Sequence, residues 1–251
     1  MKRAIVMASS VLLALIVALP MAFAQVGMGA TKSGTAEELA AAWTQWAYSQ
    51  HAAESPLIGG GDAYSEAQCD GTPVSPTQGK TWFLAGTDSL TSDGREETVR
   101  NCTMPVGTHL FFPLASTTFL ITFPNENEVI AQEYVDNVMK GLEADSTKTI
   151  EVTVDGKEIE SDRIVRADTP FFPVTLPEDN IFARFGVTAG TYQTVTNGLW
   201  VTLPPLPPGE HTIHFEISAP NADTDPKTQG IEGFFQNNTY NLTVVNPRQA
   251  P

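Results

Sequence analysis

Basic residues are scarce in this 251-residue chain: 14 Lys and Arg stand against 29 Asp and Glu, a formal charge of −15. Such a surface repels nucleic acid and anionic lipid, so neither is expected as a partner; cationic ligands are tolerated. Cysteine is scarcer still, with two in the whole chain. That excludes a disulfide-dense miniature scaffold and every four-cysteine metal site. Beyond residue 24 no apolar run reaches the roughly eighteen residues of a membrane helix. The Gly-x-Ser-x-Gly elbow, the His-Glu-x-x-His zinc helix, the phosphate-binding loop and the dinucleotide fingerprint are all missing. No repeat of about 20–50 residues is visible, which disfavours a propeller or solenoid.

What is present begins with an export signal. Lys2 and Arg3 precede the apolar run Ala4 to Leu19; Pro20 breaks it, and Ala22-Phe23-Ala24 offers a small-x-small cleavage site. Residues 1–24 are therefore expected to be removed, leaving an exported chain, periplasmic or extracellular, that starts at Gln25. No cysteine stands at the cut, so no lipid anchor and no stable membrane attachment are expected. Residues 25–34, rich in glycine and alanine, read as a flexible leader. Outside the cytoplasm, Cys69 and Cys102 are expected to join in the one disulfide available, a link the chain-entropy model values at about 3–4 kcal/mol.

Residues 35–251 read as a single domain. Thr35 and Glu38 form a capping-box pattern, and Leu39, Trp43 and Trp46 share one helical face, predicting a helix over 36–50. A second helix is predicted over 126–142, where Ile130, Tyr134, Val138 and Leu142 recur every four residues, with Asn125 or Asn127 as its cap. The remainder alternates with period two between Gly- and Pro-rich turns. Thr81 to Gly86 and Thr98 to Met104 are expected to pair around Asp93-Gly94. Strands are expected over 109–123 (interrupted at Pro113), from Thr149 to the Asp155-Gly156 hairpin, and over 164–176, 191–203, 210–218 and 234–245. His211, Ile213, Phe215 and Ile217 point one way, and Thr212, His214 and Glu216 the other. The predicted fold is mainly β, an antiparallel β-sandwich of jelly-roll or immunoglobulin-like type with two peripheral helices.

The first half carries an ordered set of motifs: Trp43-x-x-Trp46, Cys69, Trp82-Phe83-Leu84-Ala85-Gly86-Thr87, Arg100-x-Cys102, Pro105-x-Gly107 and Leu110-Phe111-Phe112-Pro113. This succession, over roughly Glu38 to Pro113, resembles that of a group of uncharacterised exported bacterial proteins. The resemblance implies a bacterial origin and an address outside the cytoplasm. It implies no activity and no catalytic residues. Physically the same order reads as structural: an indole, Trp82, between the two cysteines, with Trp43 and Trp46 covering the core from a helix.

Candidate chemistry is sparse. His109 on one strand could join His214 and Glu216, which share a face of another, in a transition-metal site. Asp223 and Asp225, within the acidic loop Asn221 to Asp225, could offer oxygens to Ca²⁺ without the full Ca²⁺-loop pattern. No other cofactor is indicated. The long loop His51 to Lys80, with Asp62, Glu66 and Asp70, is where a sandwich would place a binding site. Trp200, just after Asn197-Gly198, is the tryptophan with the best claim to a surface. Asn101-x-Thr103, Asn237-x-Thr239 and Asn241-x-Thr243 match glycosylation sequons that a bacterial protein would ordinarily leave unused. The leading expectation is a non-catalytic module that binds a protein, a glycan or another envelope component. The alternatives are a carbohydrate-active or other hydrolytic enzyme on the same scaffold, using a carboxylate pair, and a metal-dependent small barrel.

Overall fold

A computed structural model describes residues 34–57, 81–87, 94–223 and 232–246. The signal segment, Cys69 and most of the His51 to Lys80 loop lie outside the described residues. Within them no helix is long and apolar enough to cross a membrane.

The chain is mainly β, and its described residues form ten strands and two α-helices. One five-stranded sheet runs β1 (Thr81–Phe83), β3 (His109–Leu120), β8 (Gly190–Leu203), β6 (Ile164–Asp168), with β7 (Phe172–Leu176) also on β8. The other runs β2 (Thr98–Pro105), β10 (Glu232–Val245), β9 (Gly209–Asp223), β4 (Thr149–Val154), β5 (Lys157–Glu158). Their inward side chains share one apolar core, in which Leu110, Phe112 and Val201 of the first sheet meet Ile213, Phe215 and Leu242 of the second. The Phe112 and Phe215 rings lie 4.8 Å apart. Each such side chain, withdrawn from water, contributes about 1.5–3 kcal/mol.

The strands depart from the expected antiparallel pattern in one respect: both sheets are mixed. β1 pairs parallel with β3, and β2 parallel with β10. The expected hairpin between β1 and β2 does not form, because the two strands lie in different sheets. Trp82 enters the shared core with Cys102, whereas Phe83 faces the opposite side of its sheet. Residues 164–176 form two strands rather than one. The break falls at Thr169-Pro170, where proline has no N–H for a ladder. β9 continues past Pro220 to Asp223, beyond its last pairing with β4 at Ser218 and across a register shift against β10.

Helix α1 (Ala36–Tyr48) begins with the Thr35–Glu38 capping box and covers the outer face of the first sheet. Leu39, Trp43 and Trp46 form a second apolar cluster there with Phe83, Phe111 and Trp200. Helix α2 (Glu128–Ala144) is capped by Asn127, which accepts from the Ile130 amide at 3.1 Å. Met139 and Leu142 join the shared core, while Ala131 and Val135 pack on Val195 of β8. Gly141 gives α2 its close approach to β9: a Cβ there would stand 1.9 Å from the Asp223 carbonyl oxygen.

Candidate functional site

The chain after β1 crosses from one sheet toward the other. Leu84 still donates to the Phe111 carbonyl (3.2 Å), and the Trp43 indole N–H to the Leu84 carbonyl (2.8 Å). Ala85, Gly86 and Thr87 then turn toward β10. The Thr87 amide donates to Gln236 Oε1 at 2.8 Å, and the Tyr240 hydroxyl donates to the Ala85 carbonyl at 2.9 Å.

Arg100 of β2 lies beneath this crossing, fully buried. One guanidinium nitrogen donates to the Ala85 carbonyl (2.6 Å), Tyr240 Oη (3.0 Å) and Asn238 Oδ1 (3.1 Å). The other reaches the Pro56 and Gly86 carbonyls at 3.3 and 3.4 Å. Its carbon sits 5.1 Å from the centre of the Tyr240 ring. Thr87, Thr98 and Asn238 continue the network through their side chains. A planar fork with five donors suits such a ring of fixed acceptors, where a lysine would reach fewer of them.

Above this network, past β1, the described part of the first sheet ends at β3. On the side of β3 away from β8, β1 covers only His109–Phe111; farther along no described strand pairs with it. A recess of about 220 Å³ lies there, lined by Pro113 to Thr118 of β3, by Gly86, Thr87 and Gln236, and by the aromatic side chains Trp43, Tyr48, Tyr134, Phe182 and Phe234. Its lining combines fixed hydrogen-bonding groups with ring surface.

The residues singled out from the sequence are distributed elsewhere. Asp62, Glu66, Asp70, Cys69 and Asp225 lie outside the described residues. Cys102 is buried in the shared core beside Trp82. Trp200 does not reach the surface. It is fully buried, stacked on Phe111 at 5.0 Å and edge-on to Trp43 at 5.4 Å, because its position on β8 faces α1. No ligand in solvent can stack on it.

The proposed metal set does not converge. His109 opens β3 in the first sheet, whereas His214 and Glu216 lie on β9 in the second. Among the described residues no three metal-binding side chains assemble. His214 instead joins a polar ladder. Thr239 donates its hydroxyl to Glu97 at 2.6 Å and so accepts from His214 Nδ1 at 3.0 Å, with Glu216 3.9 Å from the other ring nitrogen. With its proton held by Glu97, the Thr239 hydroxyl is no nucleophile activated by His214. Asp223 ends β9, exposed; the neighbouring Asn221 amide donates to Asp145 Oδ2 at 2.9 Å. Asp145 is held below its ordinary value first by the Thr147 hydroxyl bond.

Two His–Asp pairs complete the titratable groups. His51 meets Asp179 at the surface, and that hydrogen bond, with the aspartate's charge, raises His51 and lowers Asp179. His211 meets Asp155 at 2.8 Å. Neither histidine has a hydroxyl or thiol partner among the described residues.

Sequence reasoning passed over Arg100 as a site residue. A signal was there: Thr98, Arg100, Cys102 and Met104 share one face of an alternating strand, and all four are buried. A charge in register with a core cysteine points inward.

No protein-family model matches the chain, and no curated protein does. Among solved structures it is similar to PbICP-C in complex with falcipain-2, at 11% identity over 66% of this chain and 100% of that one, TM-score 0.24. The cysteine protease inhibitor EhICP2 from Entamoeba histolytica follows at 12%, 61% and 100%, TM-score 0.19. Zebrafish RET cadherin-like domains 1 to 4 give 10%, 61% and 26%, TM-score 0.22. Likenesses this loose carry no inference about function.

Proposed function

We propose that this is an exported, non-catalytic binding module built on a β-sandwich, with the Cys69–Cys102 disulfide bracing its front and a protein or glycan of the cell envelope as its partner. The observation that carries the reading is the recess beside the stretch of β3 that no described strand pairs on that side, with aromatic walls and a polar border fastened by Arg100. The anchoring network makes that border rigid, and a preformed site binds with less ordering penalty. The N-terminal signal pattern and the resemblance over residues 38–113 support the exported address.

The test uses the mature chain beginning at Gln25, mixed with insoluble bacterial envelope material and applied to an array of envelope glycans. The wild type should co-sediment or bind. Thr118→Trp, which fills the recess from β3 and gives up the Thr118–Thr196 hydroxyl bond, should lose binding while the chain stays folded. Equal binding by both forms would move the site elsewhere; binding to neither preparation, or turnover of any glycan, would sink the proposal. Export is checked by N-terminal sequencing of the secreted chain, and the disulfide by intact mass with and without reductant. An unprocessed start or two free thiols would refute those parts.

A further inference from the structure

We propose that His211 is a proton-operated latch on the loop that joins the two sheets. The loop is Pro204 to Pro208, between β8 of the first sheet and β9 of the second. Four of its five residues are proline, so it has almost no N–H to donate. Leu206 packs on the shared core. The Pro207 carbonyl accepts from His211 Nε2 at 2.9 Å and has no other partner among the described residues. On the far side of the ring, Nδ1 lies 2.8 Å from Asp155 Oδ2.

Both neighbours are acceptors only: a carbonyl never carries a proton, and an ionised carboxylate has none to give. Each ring nitrogen must therefore donate. A neutral imidazole has one N–H and an imidazolium two, so the geometry is that of the cation. Loss of a proton sets a nitrogen lone pair against an oxygen and breaks one bond. The weaker side is the loop. Asp155 is fastened twice more, its Oδ1 accepting from the Thr212 amide at 2.9 Å and its own amide donating to the Thr212 carbonyl at 2.8 Å. Deprotonation thus frees Pro207 and leaves Asp155 in place.

The charged surroundings favour the cation. Asp155 comes from the β4–β5 turn and Glu210 from β9 itself, while Lys157, at the start of β5, acts on Asp155. β10 sets uncharged Leu242 opposite His211, and the loop has no titratable group. Burial opposes the charge, but the Asp155 and Pro207 bonds and the two carboxylates outweigh it, so His211 titrates above its ordinary 6.5. Asp155 is held below its ordinary 3.8, first by its bond to His211. The latch is closed between those two shifted values and opens on the alkaline side. It does not depend on the function proposed for the recess.

Nitrogen-15 spectra of the mature chain test it. At pH 6, below the ordinary value from which His211 is raised, both its ring nitrogens should carry protons. As pH rises through the His211 titration, amide order parameters of Leu206 and Gly209 should fall together with the loss of the Nε2 proton. His211→Gln, which offers a donor to one acceptor only, should show the loosened loop at every pH; His214→Gln should not. A singly protonated His211 ring at pH 6 overturns the proposal, and so does a loop whose order parameters ignore the titration. Asp155→Asn should lower the His211 titration point; no shift would also count against it.

Discussion

The space between the sheets has two unlike ends. At one, Leu110, Phe112, Phe215 and Leu242 close over one another with no polar atom to satisfy. At the other, Arg100, Asn238, Thr98 and Tyr240 surround a crossing chain whose carbonyls point inward. The apolar end gains from removal of surface from water and is indifferent to direction. The polar end holds only if each donor meets its acceptor, because an orphaned buried group costs about 1–3 kcal/mol. The first end makes the protein stable, and the second fixes where one stretch of chain must run. The recess lies against the second.

Substitutions can break this contrast. Phe215→Ala removes the ring shared by both sheets and should cost about 3–5 kcal/mol in urea unfolding. A loss under about 1 kcal/mol would mean that the sheets do not meet there. Arg100→Met keeps much of the volume but leaves the Ala85, Gly86 and Pro56 carbonyls without its donors. Because those acceptors are backbone and cannot be exchanged, a loss of about 2–4 kcal/mol is expected. A variant as stable as wild type would make the polar end a passive inclusion. Gly141→Ala would ordinarily stabilise a helix by about 1 kcal/mol; here the new methyl strikes the Asp223 carbonyl, and melting should show a loss of about 1–3 kcal/mol. Asn127→Ala removes a cap distant from both ends and should cost about 1 kcal/mol.

Stability should also follow pH. The raised His211 contributes stability that is complete below its ordinary 6.5 and is lost as pH climbs through the higher folded value. Asp155 contributes stability present above 3.8 and lost as pH falls through its lowered value. Chemical unfolding across that range should show a plateau, flattened on its alkaline side by His211→Gln.

The periodic parts of the fold were legible in the sequence. The capping box of α1, the helical face of α2 and the alternation of β9 are local signals, and they appear within a few residues of their expected bounds. Strand partners were not legible. The turn at Asp93-Gly94 suggests a hairpin, yet adjacency in sequence does not reveal that β1 and β2 belong to different sheets. The same applies to the site. His109 and His214 look alike on a list of metal-binding residues, and only topology places them in separate sheets. Trp200 follows a turn-like Asn-Gly pair, but Gly198 sits inside β8, 2.7 Å from the Ala115 carbonyl at its notional Cβ, where the glycine admits a neighbouring strand rather than a turn. Arg100 was obscured by its chemistry, since charge is read as exposure unless strand register is followed.

The parallel pairing of β2 with β10 sets a timetable. Thr98 finds its backbone partner in Asn238, and Pro105 in Val245. An early strand therefore stays unmatched until the last one is delivered, and contacts so distant in sequence form slowly. Arg100 and Cys102 remain uncovered over that interval. Release of the C-terminal strand would be the event that seals the core.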